Sequence, residues 1–293
     1  MSILSHIGNT PLVSLDRLSK SLGLPFTLFA KCEMFNPFGS VKDRTAFSLL
    51  EAAVLPKGAL IAEATSGNLG ISLCAIGALK GYETHIFLPG GLPQKRYDLI
   101  QKHGGILHLT TDKNGMQGAM TALDDFHSHN PCAYLPHQFT NPLNPLAHFN
   151  STAPEIWSQT HGMVDVFIAG IGTAGTLMGT ARYLKSRNAA VQIIGIEPAA
   201  APVLTKGISG SHRIYGIGAG FVPPLFDPDL CDRIVTVTND AALEGCKLLL
   251  QFESIHAGPS SGAALSAALS LKNEPIYVGK NIVILLPDSG ERY

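Results

Sequence analysis

The sequence predicts an α/β fold in which mostly parallel sheets, covered by helices on both faces, are divided between two domains. Eight short apolar runs, the helical-period segments between most of them, and one Pro- and Asn-rich interruption carry that expectation. In chain order the runs are Phe26 to Lys31, Ala59 to Glu63, Thr84 to Pro89, Ile106 to Thr110, Asp165 to Gly170, Gln192 to Pro198, Arg233 to Thr238 and Asn281 to Pro287. Several are apolar at successive positions, as strands buried on both faces must be. Between them, "KRYDLIQKHGG" and "AALEGCKLLLQF" show the three-to-four spacing of helices with one apolar face. "PHQFTNPLNPLAH" (Pro136 to His148) reads as a crossing between two α/β domains, and "KGISGSHRIYGIGAG" (Lys206 to Gly220) as a long, functional loop.

Bulk properties exclude several classes. The chain has 293 residues, enough for two domains. Charged residues make up 15%, well below the usual quarter, which predicts extensive internal surface and a homodimeric interface. A net charge of −1 without a basic run excludes the footprint of a nucleic-acid binder. No leader is visible in "MSILSHIGNTPL", and the longest apolar stretch, Leu69 to Leu79, is too short to span a bilayer, so no membrane partner is expected. Five scattered cysteines (Cys32, Cys74, Cys132, Cys231 and Cys246) without a CxxC predict a reduced, cytoplasmic protein with buried thiols. The histidines, among them His127, His129 and His137, form no metal-ligand spacing, and no metal is expected.

Two strand-to-helix turns suit anions. In "EATSGNLG" (Glu63 to Gly70), Thr65, Ser66 and Asn68 crowd polar groups at a helix N-terminus whose free amides suit a carboxylate; the turn serves equally as an ordinary N-cap. In "AGIGTAGTLMG" (Ala169 to Gly179), Gly172, Gly175 and the hydroxyls of Thr173 and Thr176 form a phosphate cradle. Gly170, Gly172 and Gly175 also spell GxGxxG, with Glu197 ending the next strand, so an NAD-dependent enzyme is a rival reading. It leaves the first turn and Lys42 unexplained.

Lys42 lies in "NPFGSVKDR" (Asn36 to Arg44), where Ser40 reads as an N-cap, Val41 opens a helix and Asp43 is an acidic partner for the free amides. A cation in a first helical turn faces the positive end of the dipole, an unfavourable placement of up to about 1 kcal/mol. Dipole and burial together push the amine toward its neutral, nucleophilic form. Beside a phosphate cradle, such an amine points to a phosphorylated aldehyde, pyridoxal phosphate.

From "IGNTPL" (Ile7 to Leu12) through "NPFGSVKDR", "ATSGNLG", "QFTNPLNP", "APEIW", "AGIGTAGT", "GIEP", "GIGAGF" and "PSSGAA" to "GERY", the chain resembles the cysteine synthase and cystathionine β-synthase family, pyridoxal-phosphate enzymes of the tryptophan synthase β fold. The resemblance implies two three-layer α/β domains with the cofactor in the cleft between them. A smaller mobile domain would span 40–142, and a larger one 1–39 with 143–293. It implies that Lys42 is the Schiff-base lysine and the base for the α-proton, that Asn68 bonds the cofactor's ring oxygen, and that Gly172, Thr173, Ala174, Gly175 and Thr176 hold its phosphate. Ser260 would meet the pyridine nitrogen. Thr65, Ser66 and Gln138 would bind the substrate α-carboxylate, with Gly216 to Gly220 as the wall facing its amino group.

The implied reaction is β-replacement on an activated serine, O-acetylserine, by sulfide or a thiol. Cystathionine or diaminopropionate-type products remain alternatives, as does a turnover-impaired homologue that binds the C-terminal peptide of a serine acetyltransferase. Several positions depart from the family pattern. Leu69 replaces a carboxylate-binding threonine and adds apolar bulk expected beside the substrate; Ala174 replaces a glycine, tolerable unless that position needs a positive φ; Pro259 precedes Ser260. The stretch between Arg44 and Ala59 is shortened, and neither a haem-binding extension nor a regulatory module is expected.

Overall fold

The computed structural model describes residues 2–111 and 115–293. Its larger sheet has the strand order β1-β2-β9-β6-β7-β8. The strands are β1 (Leu12–Ser14), β2 (Thr27–Cys32), β6 (Val166–Gly170), β7 (Gln192–Pro198), β8 (Arg233–Val237) and β9 (Asn281–Leu286). All pairs are parallel except β1 with β2. The smaller sheet is β3 (Leu60–Ala64), β4 (Glu83–Pro89) and β5 (Ile106–Thr110), all parallel. All eight expected strands are present within one residue at either end. β1 was not anticipated: three half-buried residues on an antiparallel edge carry too little pattern to read.

Both sheets are covered on both faces, and the alternation along each strand shows how. On β2, Leu28, Ala30 and Cys32 face the cluster formed with α1 (Asp16–Leu22), α10 (Asn239–Glu253) and α11 (Pro259–Ser270). Phe29 faces the opposite cluster, built on α7 (Thr152–Gln159) and α8 (Gly175–Arg187). In the smaller sheet, Ile61, Ile86 and Leu88 pack against α2 (Lys42–Ala52), α3 (Asn68–Lys80) and α4 (Gln94–Lys102). Ala62, Ala64 and Phe87 pack against α5 (Gly115–His129).

The chain crosses from the smaller sheet to the larger through 130–142, then enters α6 (Leu143–Asn150), which lies against α8 and α2. A short α9 (Val203–Lys206) leads into the long loop, irregular from 207 to 227. Among the described residues no helix is long and apolar enough to cross a membrane. The expectation of buried thiols holds for Cys32 and Cys74 only; Cys132 is exposed, and Cys231 and Cys246 are half-buried. Cys132 follows Pro131 in the turn after α5, on the surface rather than in a core layer.

Candidate active site

The helices that follow β3 and β6 begin at the carboxyl ends of those strands, where ligands of parallel sheets gather. The N-termini of α3 and α8 meet those of α2 and α11 around one cavity of about 500 Å3. Four helix N-termini give it an inward-facing set of free amides and a positive potential. Lys42, Thr65, Ser66, Asn68, Leu69, Gln138, Gly172 to Thr176, Gly216 and Ser260 all line it. His127, His129 and His137 do not, and among the described residues there is no cluster able to hold a metal ion.

Lys42 is the first residue of α2. Val41, already helical at φ −54° and ψ −24°, is the N-cap, not Ser40 as the sequence suggests. Ser40 still serves the helix start, because its Oγ accepts from the Lys42 amide at 3.3 Å. Asp43 turns back to accept from the Phe38 amide at 2.7 Å and from the Ser72 hydroxyl. Lys42 Nζ lies 3.4 Å from Thr173 Oγ1 across the cavity. Burial pushes its amine down to about 8, against the opposing pull of the Glu63 carboxyl. Glu63, on β3, is itself buried, has an oxygen without a partner, and is pushed up to about 8 by desolvation.

The turn after β6 is built around small residues. A Cβ on Gly172 would meet the Gly216 carbonyl, and one on Gly175 would collide with Asn144. Ala174 has φ +67°, so the condition under which its methyl is not tolerated freely is met. A left-handed non-glycine residue costs roughly 1–2 kcal/mol, while glycine loses about 0.4–1 kcal/mol through the unfolded chain. Ala174→Gly is therefore expected to raise the free energy of unfolding by about 0.5 kcal/mol, read as a higher urea midpoint at unchanged slope; a lowered midpoint would mean that the methyl's packing against Leu177 and Met178 outweighs the strain.

Polar side chains missed in the sequence hold this turn. Asn144 donates to Thr173 Oγ1 and to the Gln138 carbonyl, both at 2.8 Å, so it ties the crossing to the turn. His148 Nε2 lies 3.2 Å from the hydroxyls of Thr45 and Thr176, and its Nδ1 is 2.9 Å from Thr152 Oγ1. Burial, then the nearby Lys42 and Arg44 charges, keep the imidazole neutral. Asn144, His148 and Thr152 stand at four-residue intervals, a polar stripe inside an apolar segment that was readable as a buried network.

On the other wall, Thr65 Oγ1 accepts from the Gly67 amide at 3.2 Å, and Gln138 Nε2 donates to the Ala64 carbonyl at 3.0 Å. Asn68 is held on both polar atoms: its Nδ2 donates to Asp288 at 2.6 Å and its Oδ1 accepts from Arg292 at 2.8 Å. Tyr293 donates to the same Asp288 carboxylate at 2.7 Å. Leu69 borders the cavity, but its side chain is only 1% exposed and packs with Ile86, Leu88 and Ile100 in the smaller sheet's core rather than projecting as bulk beside a ligand.

Glu197 closes β7 but accepts from the Leu204 and Thr205 amides at 2.8 and 3.1 Å and from the Thr205 hydroxyl. It is buried, does not line the cavity and spends its oxygens on the start of α9, so the dinucleotide reading of GxGxxG lacks its acidic ribose partner there.

Comparison with known proteins agrees with this geometry. The family described as "Pyridoxal-phosphate dependent enzyme" matches residues 3–288. Cysteine synthase A of Escherichia coli K12 is 41% identical over 98% of this chain and 91% of its own length. The structure of cysteine synthase from Entamoeba histolytica superposes with a TM-score of 0.94 at 38% identity, covering 100% of this chain and 88% of that one. A hydrogen sulfide-producing enzyme from Fusobacterium nucleatum gives a TM-score of 0.96 at 38% identity, over 100% of this chain and 99% of its own.

Proposed function

Because the chain belongs to the pyridoxal-phosphate dependent enzyme family, we propose that its cavity carries out β-replacement on O-acetylserine with sulfide, making L-cysteine. The observation that carries this reading is the placement of Lys42: an amine lowered by burial, at a helix start, facing a turn shaped for phosphate 3.4 Å away. The residues fit the cofactor. Glycines at 172 and 175 leave a cradle that a Cβ would fill, and Ser260 Oγ stands 3.8 Å from where a Gly216 Cβ would sit, which keeps that gap open.

In this reading Gly172 to Thr176 hold the phosphate, Thr173 and Thr176 through hydroxyls already oriented by Asn144 and His148. Asn68 offers its remaining amide hydrogen to the ring oxygen, and Ser260 a neutral hydroxyl to the ring nitrogen. When bound, pyridoxal phosphate supplies an aldehyde that condenses with amines and a conjugated ring that spreads the electrons left behind by a departing α-proton. Lys42 takes that proton on Nζ. Thr65, Ser66 and Gln138 seat the α-carboxylate, and Gly216 to Gly220 wall the amino group. Residues 40–142 form the smaller domain and 1–39 with 143–293 the larger, so the cavity lies between them.

The deciding assay supplies O-acetylserine and sulfide and measures cysteine. Two further arms offer homocysteine or an amino-acid amine as nucleophile, and cysteine alone as donor. Sulfide release from cysteine outpacing cysteine formation would replace this reading with that of the Fusobacterium enzyme, whose length this chain matches most fully among the three compared. The low charge fraction, together with exposed apolar side chains such as Leu146 and Met163, supports a homodimer. The C-terminal carboxylate of a serine acetyltransferase peptide would compete with O-acetylserine for the same turn.

Lys42 also sets a pH dependence. Only the neutral amine condenses with an aldehyde, so capture of pyridoxal phosphate by the cofactor-free enzyme should rise about tenfold from pH 7 to pH 9 and level off above about 8. With an unshifted lysine the rise would be about a hundredfold and would continue past pH 10. Glu63→Gln removes the influence that raises the amine, so the levelling point should move to lower pH.

Leu69→Thr trades buried apolar volume for a hydroxyl and should lower stability by about 2–4 kcal/mol. Because the side chain lies in the core, the KM for O-acetylserine should stay within about threefold. A tenfold fall in KM would show that the hydroxyl reaches the carboxylate.

A further inference from the structure

Arg96, on α4, is 1% exposed, lines the cavity and has no assigned role. We infer that Arg96 is a positioning residue that fixes the carboxylate-binding turn and seats it against the larger domain, a role that rests on the substrate site proposed above. Its Nη1 donates to the Ser66 carbonyl, the oxygen of the Ser66–Gly67 peptide. On the other side of that trans peptide plane, the Gly67 amide donates to Thr65 Oγ1 at 3.2 Å. Arg96 thus holds one end of the plane while the Thr65 hydroxyl accepts at the other. With that acceptor position filled, the Thr65 hydrogen is left to donate to a carboxylate.

The fit behind the turn is close. Gly67 has φ +143°, and a Cβ there would lie 2.7 Å from Arg96 Nη1 and 2.9 Å from its Cδ. A fixed cation at that spot also favours an anion in front of it. Arg96 Nε and Nη2 have no hydrogen-bond acceptor. They lie instead against aromatic rings, with Cζ 5.1 Å from the Tyr215 centroid and 4.8 Å from that of Tyr293, within cation–π range. Both rings belong to the larger domain, stacked at 5.6 Å, whereas α4 and the turn belong to the smaller. One guanidinium therefore reaches the carboxylate turn and the opposite domain at once. Lysine offers a point charge without the fork, so it cannot make both contacts.

The test uses the holoenzyme. Arg96→Met should raise the KM for O-acetylserine about tenfold or more while kcat changes less than about threefold, because carboxylate binding is shared by ground and transition states. Arg96→Lys should fall between. Hydrogen exchange in 65–68 is measured with and without saturating L-serine, which has the carboxylate but no reactive leaving group. Protection seen in the wild type and lost in the variant supports the role. A KM within about twofold of wild type with equal protection overturns it. If Arg96→Met does not fold, Arg96→Lys and Tyr215→Leu are judged by the same two measurements. The exchange measurement is independent of turnover, so a wild type that protects the turn with L-serine yet makes no cysteine would refute the assigned reaction and leave the role of Arg96 standing.

Discussion

Lys42→Ala should abolish β-replacement and leave the chain folded. Removing a general base alone costs about 10²–10⁴ in rate, and in the proposed reading the same amine also anchors the cofactor, so a loss of at least about a thousandfold is expected. No other lysine lines the cavity among the described residues. Folding should survive, because among the described residues the amine's one hydrogen-bond partner is the Thr173 hydroxyl at 3.4 Å, and Thr173 keeps Asn144 as a partner. The checks are the rate of cysteine formation, the thermal midpoint and the cofactor's absorbance. A rate within tenfold of wild type would remove Lys42 from the mechanism.

Arg44→Met should instead unfold the protein at a much lower temperature. Arg44 grips Glu33 through Nε and Nη2 at 2.7 and 2.9 Å, and Glu155 through Nη1 and Nη2 at 2.6 and 2.7 Å. Lys31 completes the cluster, donating to Glu155 at 2.7 Å, to the Thr10 carbonyl at 2.7 Å and to Gln159 at 2.9 Å. Two cations and two anions balance; deleting Arg44 leaves an uncompensated buried charge, which costs about 3–5 kcal/mol and on the order of 10 °C. Burial pushes the Glu155 carboxyl up, but Arg44 and Lys31 overcome it and hold it at about 2. Its folded value lies below the unfolded 4.5, so its contribution is full above pH 4.5 and is lost as pH falls toward 2. Thermal melting at pH 7 and pH 3 reads both effects. A midpoint moved by less than about 2 °C at pH 7 would mean that the cluster contributes little.

The same cluster explains what the motifs were for. Gly8 to Thr10, Asn36, Arg44 and Glu155 sit in three separate motifs of the family resemblance, and they meet in one ionic and hydrogen-bonded knot. Three collinear signals thus proved to be one structural anchor for the start of α2. Strands were legible because each is apolar on two faces, and the cavity-lining turns because glycine and hydroxyl residues follow strands. Arg96 and Asp288 were not, since a buried polar side chain looks in sequence like any surface one until its partners, up to 220 residues away in the case of Asp288 and Asn68, are known. Leu69 misled for the opposite reason: standing where the family pattern has a carboxylate-binding threonine, it suggested apolar bulk beside the ligand, while its side chain on the first turn of α3 is buried in the core.

β2 and β9 are neighbours near the middle of the larger sheet, pairing Thr27 with Asn281 and Cys32 with Leu286. During synthesis the first of these strands emerges early and must wait for almost the whole chain before its partner exists. The three strands of the smaller sheet, by contrast, pair in the order in which they are made. Loop closure over such a distance is slow, and the unpaired edge of β2 is exposed while it waits. A ribosome-bound chain carrying residues 1–150 should already protect β3 to β5 from proteolysis while β2 remains cleavable. The late closure of the sheet by β9 is then the step before which an open edge persists longest in the nascent chain.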